Sequence, residues 1–202
     1  MRRSVTIIFN DTKRVFIAIN LDKEIKSYLS NIQEELLNNN RAKLKMKTVE
    51  RGNLHISIKF LGDLNRLEIE KISLALQKLS SKYQPFRINL SKRIGIFPGT
   101  KKPRVIWIGI EKGNSSEVEK IYHDIERELQ EEAFYHNDKK FTTHITLGRI
   151  KYVKYPNNLI DFMQKIIFKD ISQMVHSVEL MESNLTTKGP IYGVISKFPF
   201  LQ

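Results

Sequence analysis

The sequence contains no cysteine. That absence excludes disulfides, cysteine-ligated zinc and iron–sulfur centres, and thiol nucleophiles, and with them a disulfide-stapled secreted scaffold. Glycine and proline are sparse, nine and six in 202 residues, so a collagen-like repeat or a low-complexity linker cannot make up the bulk of the chain. No run approaches the roughly 18 uncharged apolar residues of a membrane span. Met1-Arg2-Arg3 followed by the short run Val5 to Phe9 lacks the apolar core of a signal peptide, so a cytoplasmic protein with no membrane partner is expected. A Gly-x-Ser-x-Gly nucleophile elbow is also missing, which argues against a serine-hydrolase triad.

What is present is the composition of a folded chain, 41% hydrophobic and 28% charged, long enough to bury a sizeable core. Lys and Arg outnumber Asp and Glu by 34 to 22, a net charge of +12. An excess of that size favours anionic partners, nucleic acid first among them. A uniformly solvated Lys/Glu-rich surface is the competing reading, because net charge alone does not show clustering on one face.

Hydrophobic periodicity orders the elements. Residues 15–19 are a compact apolar run, a buried strand, and from Asp22 the series Ile25, Leu29, Ile32, Leu36 has helical spacing. Lys45 to Val49 alternates like a half-exposed strand, and after the Gly52-Asn53 turn Leu54 to Leu61 is a strong strand. A second amphipathic helix carries Leu67, Ile72, Leu76 and Leu79. Strands at 86–90 and 105–110 flank a Gly/Pro loop at 95–99, followed by Lys101, Lys102 and Arg104. Ser116 is placed to cap a helix running to about Glu132. A strand at 141–150, a helix at 159–168 and strands at 175–181 and 191–198 complete the order. Strands and helices are intermixed without a long βαβ run, which predicts an α+β fold of two similar lobes.

Five histidines occur, and two of them stand in near-identical tetrapeptides, His55-Ile56-Ser57-Ile58 and His144-Ile145-Thr146-Leu147. Side chains alternate along a strand, so each tetrapeptide presents an imidazole and a hydroxyl on one face and two aliphatics on the other. Lobes facing each other would bring the four polar groups into one cleft. Two imidazoles suit a reaction that takes a proton on one side and delivers one on the other, while two hydroxyls can donate to an anion. In-line attack at phosphorus needs that set. The competing readings are packed structural histidines and a metal site, the latter short of a third ligand at suitable spacing.

These residues resemble the two-histidine (2H) phosphoesterases, and among them the bacterial and archaeal RNA 2′,3′-cyclic phosphodiesterases, also called 2′-5′ RNA ligases. The resemblance runs from Arg14 onward through residues 15–19, 53–62, 95–98, 103–107, 144–149, 183–185 and 189–192. One departure is Ser57 where threonine is more usual; the hydroxyl is kept. The resemblance implies one bilobal domain over 14–202, residues 1–13 being an extension, with helices outside antiparallel sheets and the two motifs in a central cleft. It implies hydrolysis of an RNA 2′,3′-cyclic phosphate to a 2′-phosphate, with no metal or other cofactor, by a monomer, and possible reversible 2′-5′ ligation. In that chemistry His55 is the proton donor to the leaving 3′-oxygen and His144 the proton acceptor that activates water. Ser57, Thr146 and Arg149 would bind the phosphate, and Phe60 would contact the nucleotide. Strict alternation sets Phe60 and Arg149 on the face away from the histidines. A bulge at Gly148 would re-aim Arg149, whereas no comparable signal precedes Phe60, for which core packing is the alternative. Lys59, Arg149, Lys151, Lys101, Lys102 and Arg104 are the candidates for a basic surface along the cleft. Two other functions compete: a non-catalytic RNA-binding module, and a 2H enzyme acting on a small cyclic nucleotide.

Overall fold

The computed structural model describes residues 12–38, 40–131, 141–187 and 189–201. Residues 1–11 of the expected extension 1–13, the expected helix end at Glu132 and His136 lie outside the described residues. The chain order is β1 (Lys13–Asn20), α1 (Lys23–Asn38), β2 (Leu44–Thr48), β3 (His55–Leu64), α2 (Arg66–Ser80), β4 (Phe86–Phe97) and β5 (Val105–Ile110). There follow α3 (Lys112–Glu131), β6 (His144–Val153), α4 (Pro156–Met163), β7 (Ser172–Val175), β8 (Ser177–Leu185) and β9 (Pro190–Pro199). The fold is α+β, as expected, with an antiparallel sheet in the order β7-β4-β5-β6-β3-β1-β8-β9 and β2 laid alongside β6.

The two motif strands, β3 and β6, meet in the middle of this sheet and pair at one position, Ile56 with Ile145. On one side of that contact lie β1, β8 and β9; on the other lie β5, β4, β7 and β2. These are the two lobes, but they are not the two halves of the chain. β2 leaves the first lobe to pair with β6, and β8 and β9 return from the far end of the sequence to pair with β1. Interleaving of this kind closes both lobes with antiparallel ladders and gives neither a free-standing half.

Helical stripes cover one face. Ile25, Leu29, Ile32 and Leu36 of α1, and Val118, Ile121, Ile125 and Leu129 of α3, are all buried in one core with Ile56, Ile58, Ile145 and Leu147 of the motif strands. Asn65 caps α2 through a capping box with Glu68. Some expected boundaries shift. α3 begins at Lys112 rather than under a Ser116 cap, its first turn closed by the Ser115 amide donating to the Glu111 carbonyl at 2.9 Å. α4 starts three residues early because Pro156 suits the first helical position, and it ends at Met163 so that the chain can extend into β7. β4 runs through the expected loop to Phe97: its first residues pair with β7, and after an irregularity between Leu90 and Ile94 its last pair with β5. The expected strand over 175–181 is divided at His176, β7 serving β4 and β8 serving β1 and β9.

On the other face of β1, Phe16 and Ala18 form a small separate cluster with Met181 beneath Tyr192. That cluster is the floor beside the first motif.

Candidate active site

All six residues singled out from the sequence, His55, Ser57, Phe60, His144, Thr146 and Arg149, line one cleft of about 260 Å³ between the lobes. A larger hollow of about 520 Å³ between β4 and α4 contains neither histidine. The smaller cleft is therefore the candidate active site. The strands pair at Ile56 and Ile145, and the flanking residues, His55 and Ser57 on β3 and His144 and Thr146 on β6, all line the cleft.

The histidines are held alike. Nδ1 of His55 lies 2.7 Å from the Asn53 carbonyl oxygen, and Nδ1 of His144 lies 2.7 Å from the Thr142 carbonyl oxygen. A carbonyl only accepts, so Nδ1 of each ring carries the proton and Nε2 of the neutral ring is bare. Nε2 of His55 is 2.7 Å from Ser57 Oγ, so the Ser57 hydroxyl donates to it while the ring is neutral. Aromatic rings box both imidazoles. Phe16 and Tyr192 stand 5.1 and 5.3 Å from His55, and Phe97 and Trp107 stand 5.1 and 5.9 Å from His144. Gly95 makes room for the Trp107 ring, since a Cβ there would come within 2.2 Å of it.

This packing sets the electrostatics. Burial, reinforced by the nearby Lys26 and His144 charges and opposed by the Asn53 carbonyl, lowers the His55 pKa to about 4. Burial also lowers His144 below the ordinary imidazole value, with Arg149 acting in the same direction against the Thr142 carbonyl. Lys26 sits behind His55, its ammonium donating to Asn20 Oδ1 at 2.7 Å and to the Gly52 carbonyl at 2.9 Å. Asn53 ties the same turn across the cleft by donating from Nδ2 to the Pro190 carbonyl at 2.8 Å.

Phe60 and Arg149 reach the cleft by one device used twice. In the β1 register Ile17 faces Lys59 and Ala18 faces Ser57, leaving Ile58 as an extra residue; in the β5 register Ile106 faces Gly148 and Trp107 faces Thr146, leaving Leu147 extra. Both strands then show the same burial sequence, with two consecutive buried residues after the hydroxyl. That slip returns the fifth residue after each histidine to the histidine's face. The bulge in β6 therefore sits at Leu147 rather than at Gly148, and a matching bulge before Phe60 exists after all. Phe60 is 68% exposed, which removes the core-packing reading. The same slip overturns the expectation for Lys59. It is buried, 6% exposed, and paired with the buried Glu126 of α3 instead of contributing to a basic surface. Arg149, Lys151, Lys101, Lys102 and Arg104 are exposed as expected.

Sequence reasoning did not single out Lys47, whose ammonium lies against Gly189, or Tyr192, although both line the cleft. Lys47 was legible only as one charge in an alternating strand, and β2 pairing with β6 is what brings it opposite Arg149. Among the described residues no group of three or more His, Asp or Glu side chains is placed to hold a metal ion, and no helix is long and apolar enough to cross a membrane.

Fold and site together define a two-histidine phosphoesterase. The LigT-like phosphoesterase family matches the chain twice in tandem, over residues 19–107 and 108–192, one motif in each match. A Methanocaldococcus jannaschii protein named RNA 2′,3′-cyclic phosphodiesterase is 34% identical over 187 residues, covering 92% of this chain and 99% of its own. A Thermotoga maritima protein of the same name is 32% identical, covering 93% and 95%. Among solved structures, a Thermus thermophilus protein superposes with a TM-score of 0.72 at 29% identity, over 93% of this chain and 97% of that one. Escherichia coli LigT complexed with 3′-AMP reaches the same score at 18% identity over 95% and 100%, a likeness of fold. The chain belongs to the LigT-like phosphoesterase family.

Proposed function

We propose that this chain hydrolyses the 2′,3′-cyclic phosphate end of RNA to a 2′-phosphate, using His55 as acid and His144 as base and no metal. The observation that carries the reading is the pair of imidazoles, each anchored through Nδ1 to a backbone carbonyl, lining one cleft together with the Ser57 and Thr146 hydroxyl side chains. The relatives named RNA 2′,3′-cyclic phosphodiesterase support the substrate class.

Atoms and protons balance in one displacement. Nε2 of His144 takes a proton from water as its oxygen bonds to phosphorus, the bond from phosphorus to the 3′-oxygen breaks, and the proton on Nε2 of His55 passes to that oxygen. A 2′-phosphate and a 3′-hydroxyl result, and the two rings exchange protonation states until solvent resets them. With a 5′-hydroxyl attacking in place of water, the same displacement forms a 2′-5′ phosphodiester as the bond from phosphorus to the 3′-oxygen breaks, and its reverse, with the 3′-hydroxyl attacking and the 5′-oxygen leaving, cleaves that linkage. Protonating His55 also ends the hydrogen bond that Nε2 accepts from Ser57. Nε2 then carries the proton destined for the 3′-oxygen, and the Ser57 hydrogen becomes available to a non-bridging phosphate oxygen, as Thr146 is from the other strand. Burial holds both pKa values low, and an anionic phosphate placed between the rings favours the imidazolium that the reaction needs. The reading takes residues 14–202 as one catalytic unit, monomeric and cytoplasmic, which sedimentation and cell fractionation test.

The deciding experiment supplies a short RNA ending in a 2′,3′-cyclic phosphate with EDTA present. Turnover to the 2′-phosphate is expected, with His55→Ala and His144→Ala each losing most activity and the double variant little worse than either. Sensitivity to EDTA overturns the metal-free mechanism. Folded single variants that retain the wild-type rate overturn the acid–base assignment.

A further inference from the structure

The cleft is small for its proposed substrate. About 260 Å³ lies just below the usual range of ligand pockets, room for the terminal nucleotide and little more, so an RNA chain must leave it over the protein surface. The register of β2 on β6 shows one wall built to receive it. Lys47 pairs with Arg149, Met46 with Ile150, and Lys45 with Tyr152, leaving Lys151 as an extra residue in β6. This second bulge puts Tyr152 on the face of Arg149 despite their spacing of three residues. Alternation on β2 puts Lys45 on the face of Lys47.

The burial agrees on both faces of the ribbon. Leu44, Met46, Ile150 and Val153 turn inward onto the core, while Lys45, Lys47, Arg149 and Tyr152 are exposed, Tyr152 to 50%. Lys47 and Arg149 line the cleft, so the four outward residues form a continuous strip that starts inside the site and runs away from it. The step from one cross-strand pair to the next is two residues along β2, about 7 Å, comparable to the separation of successive phosphates on an extended single strand. Cations interleaved with an exposed aromatic ring are what a single-stranded nucleic acid requires, the cations tracking phosphates and the ring taking a base face. A net charge of +12 suits a polyanion.

We propose that the β2–β6 ribbon is an extended subsite for the RNA upstream of the cyclic end, with Tyr152 stacking on a base and Lys45 contacting a phosphate. The proposal rests on the cyclic phosphodiesterase reading for what occupies the cleft, and it adds that the substrate is an oligonucleotide gripped beyond its last residue. The opposite wall, exposed and apolar at Leu185 and Ile191, is the other path out.

The test compares kcat/KM for a nucleoside 2′,3′-cyclic phosphate and for a pentanucleotide with the same cyclic end. Wild-type protein should favour the pentanucleotide. In Tyr152→Ala the ratio of the two constants should fall about tenfold, and Tyr152→Phe should restore it, since phenylalanine keeps the stacking face. Lys45→Ala should lower the ratio and flatten the salt dependence of pentanucleotide binding by about one unit of slope. A general defect in folding lowers both constants and leaves the ratio alone. Ratios equal to wild type in Tyr152→Ala and Lys45→Ala overturn the proposal, as does a fall confined to Leu185→Ser or Ile191→Ser. Binding of a pentanucleotide ending in a 3′-phosphate separates the two readings. If neither cyclic substrate turns over, the catalytic reading fails, and weaker binding by both ribbon variants still supports the subsite while unchanged binding overturns it.

Discussion

Because the Asn53 and Thr142 carbonyls fix Nδ1 of His55 and His144 as protonated, the acid and base duty proposed for the two rings would fall on Nε2 of each, and the working pH would follow from how each Nε2 titrates. The pair must carry one proton between them. With His55 at about 4 and His144 lowered from its ordinary value of 6.5, the free enzyme holds that single proton between the two values and loses it above the higher. The kcat/KM profile should therefore be bell-shaped with its maximum below pH 6.5, and the kcat profile should be displaced upward because bound phosphate favours the imidazolium. A kcat/KM maximum well above neutrality would show that the burial of the rings does not govern their titration. The hydroxyls have a smaller part. Ser57→Ala or Thr146→Ala removes one donor to a phosphate oxygen, worth about 2–4 kcal/mol at an oxyanion, so kcat should fall on the order of a hundredfold with the circular dichroism spectrum unchanged. Wild-type kcat in the double variant would reduce these side chains to filling the strand face. At this scale the sequence was informative because the motif is local: two residues on a strand share a face whatever the rest of the chain does.

Between elements the same rule needs correction, and the reason is the bulge. Alternation carries His55 to Ser57 and His144 to Thr146, then fails at Ile58 and Leu147, where an extra residue slips the phase. Glycine was the sequence signal for such a slip, and it pointed to Gly148, one position beyond the extra residue. Nothing local marks Ile58, since its bulge exists only against β1. What holds the Leu147 bulge comes from elsewhere in the chain. Its carbonyl accepts from Gln33 Nε2 at 2.7 Å and from the Val49 amide at 2.9 Å, and the buried Gln33 also donates to the Val49 carbonyl at 2.8 Å. Gln33→Leu leaves these carbonyls short of a donor under α1, which should cost about 1–3 kcal/mol of stability by denaturant unfolding. It should also raise KM more than it lowers kcat, because Arg149 follows the bulge while His144 precedes it. An unchanged KM would mean the bulge holds without Gln33. Helix interiors, by contrast, were legible from their stripes, and only their ends moved, where pairing partners decided how far β4 or β7 runs.

Across the whole molecule, the sequence order suggested two halves, whereas the sheet builds two lobes by exchanging strands between them. Pairing partners far apart in sequence leave no mark on local periodicity, so the interleaving could not be read in advance. Lys59 shows the consequence. Read locally it belonged to a basic rim; in the fold it reaches from β3 to Glu126 on α3, both side chains buried, and fastens the first motif strand to a helix packed beside β4 of the other lobe. A buried pair gives little net stability when intact, but breaking it strands a charge. Lys59→Met should therefore destabilise the protein by about 3–5 kcal/mol, measured by urea unfolding, and Lys59→Met with Glu126→Leu should recover most of that loss. Neither variant should change the slope of RNA affinity against salt, because Lys59 is buried against Glu126 and releases no counterion. Lys101→Ala with Lys102→Ala gives the contrast: stability unaltered, and a shallower slope if the exposed loop after β4 touches phosphate. A salt slope that drops in Lys59→Met instead would return that lysine to the surface and remove the pair as the tie between the lobes.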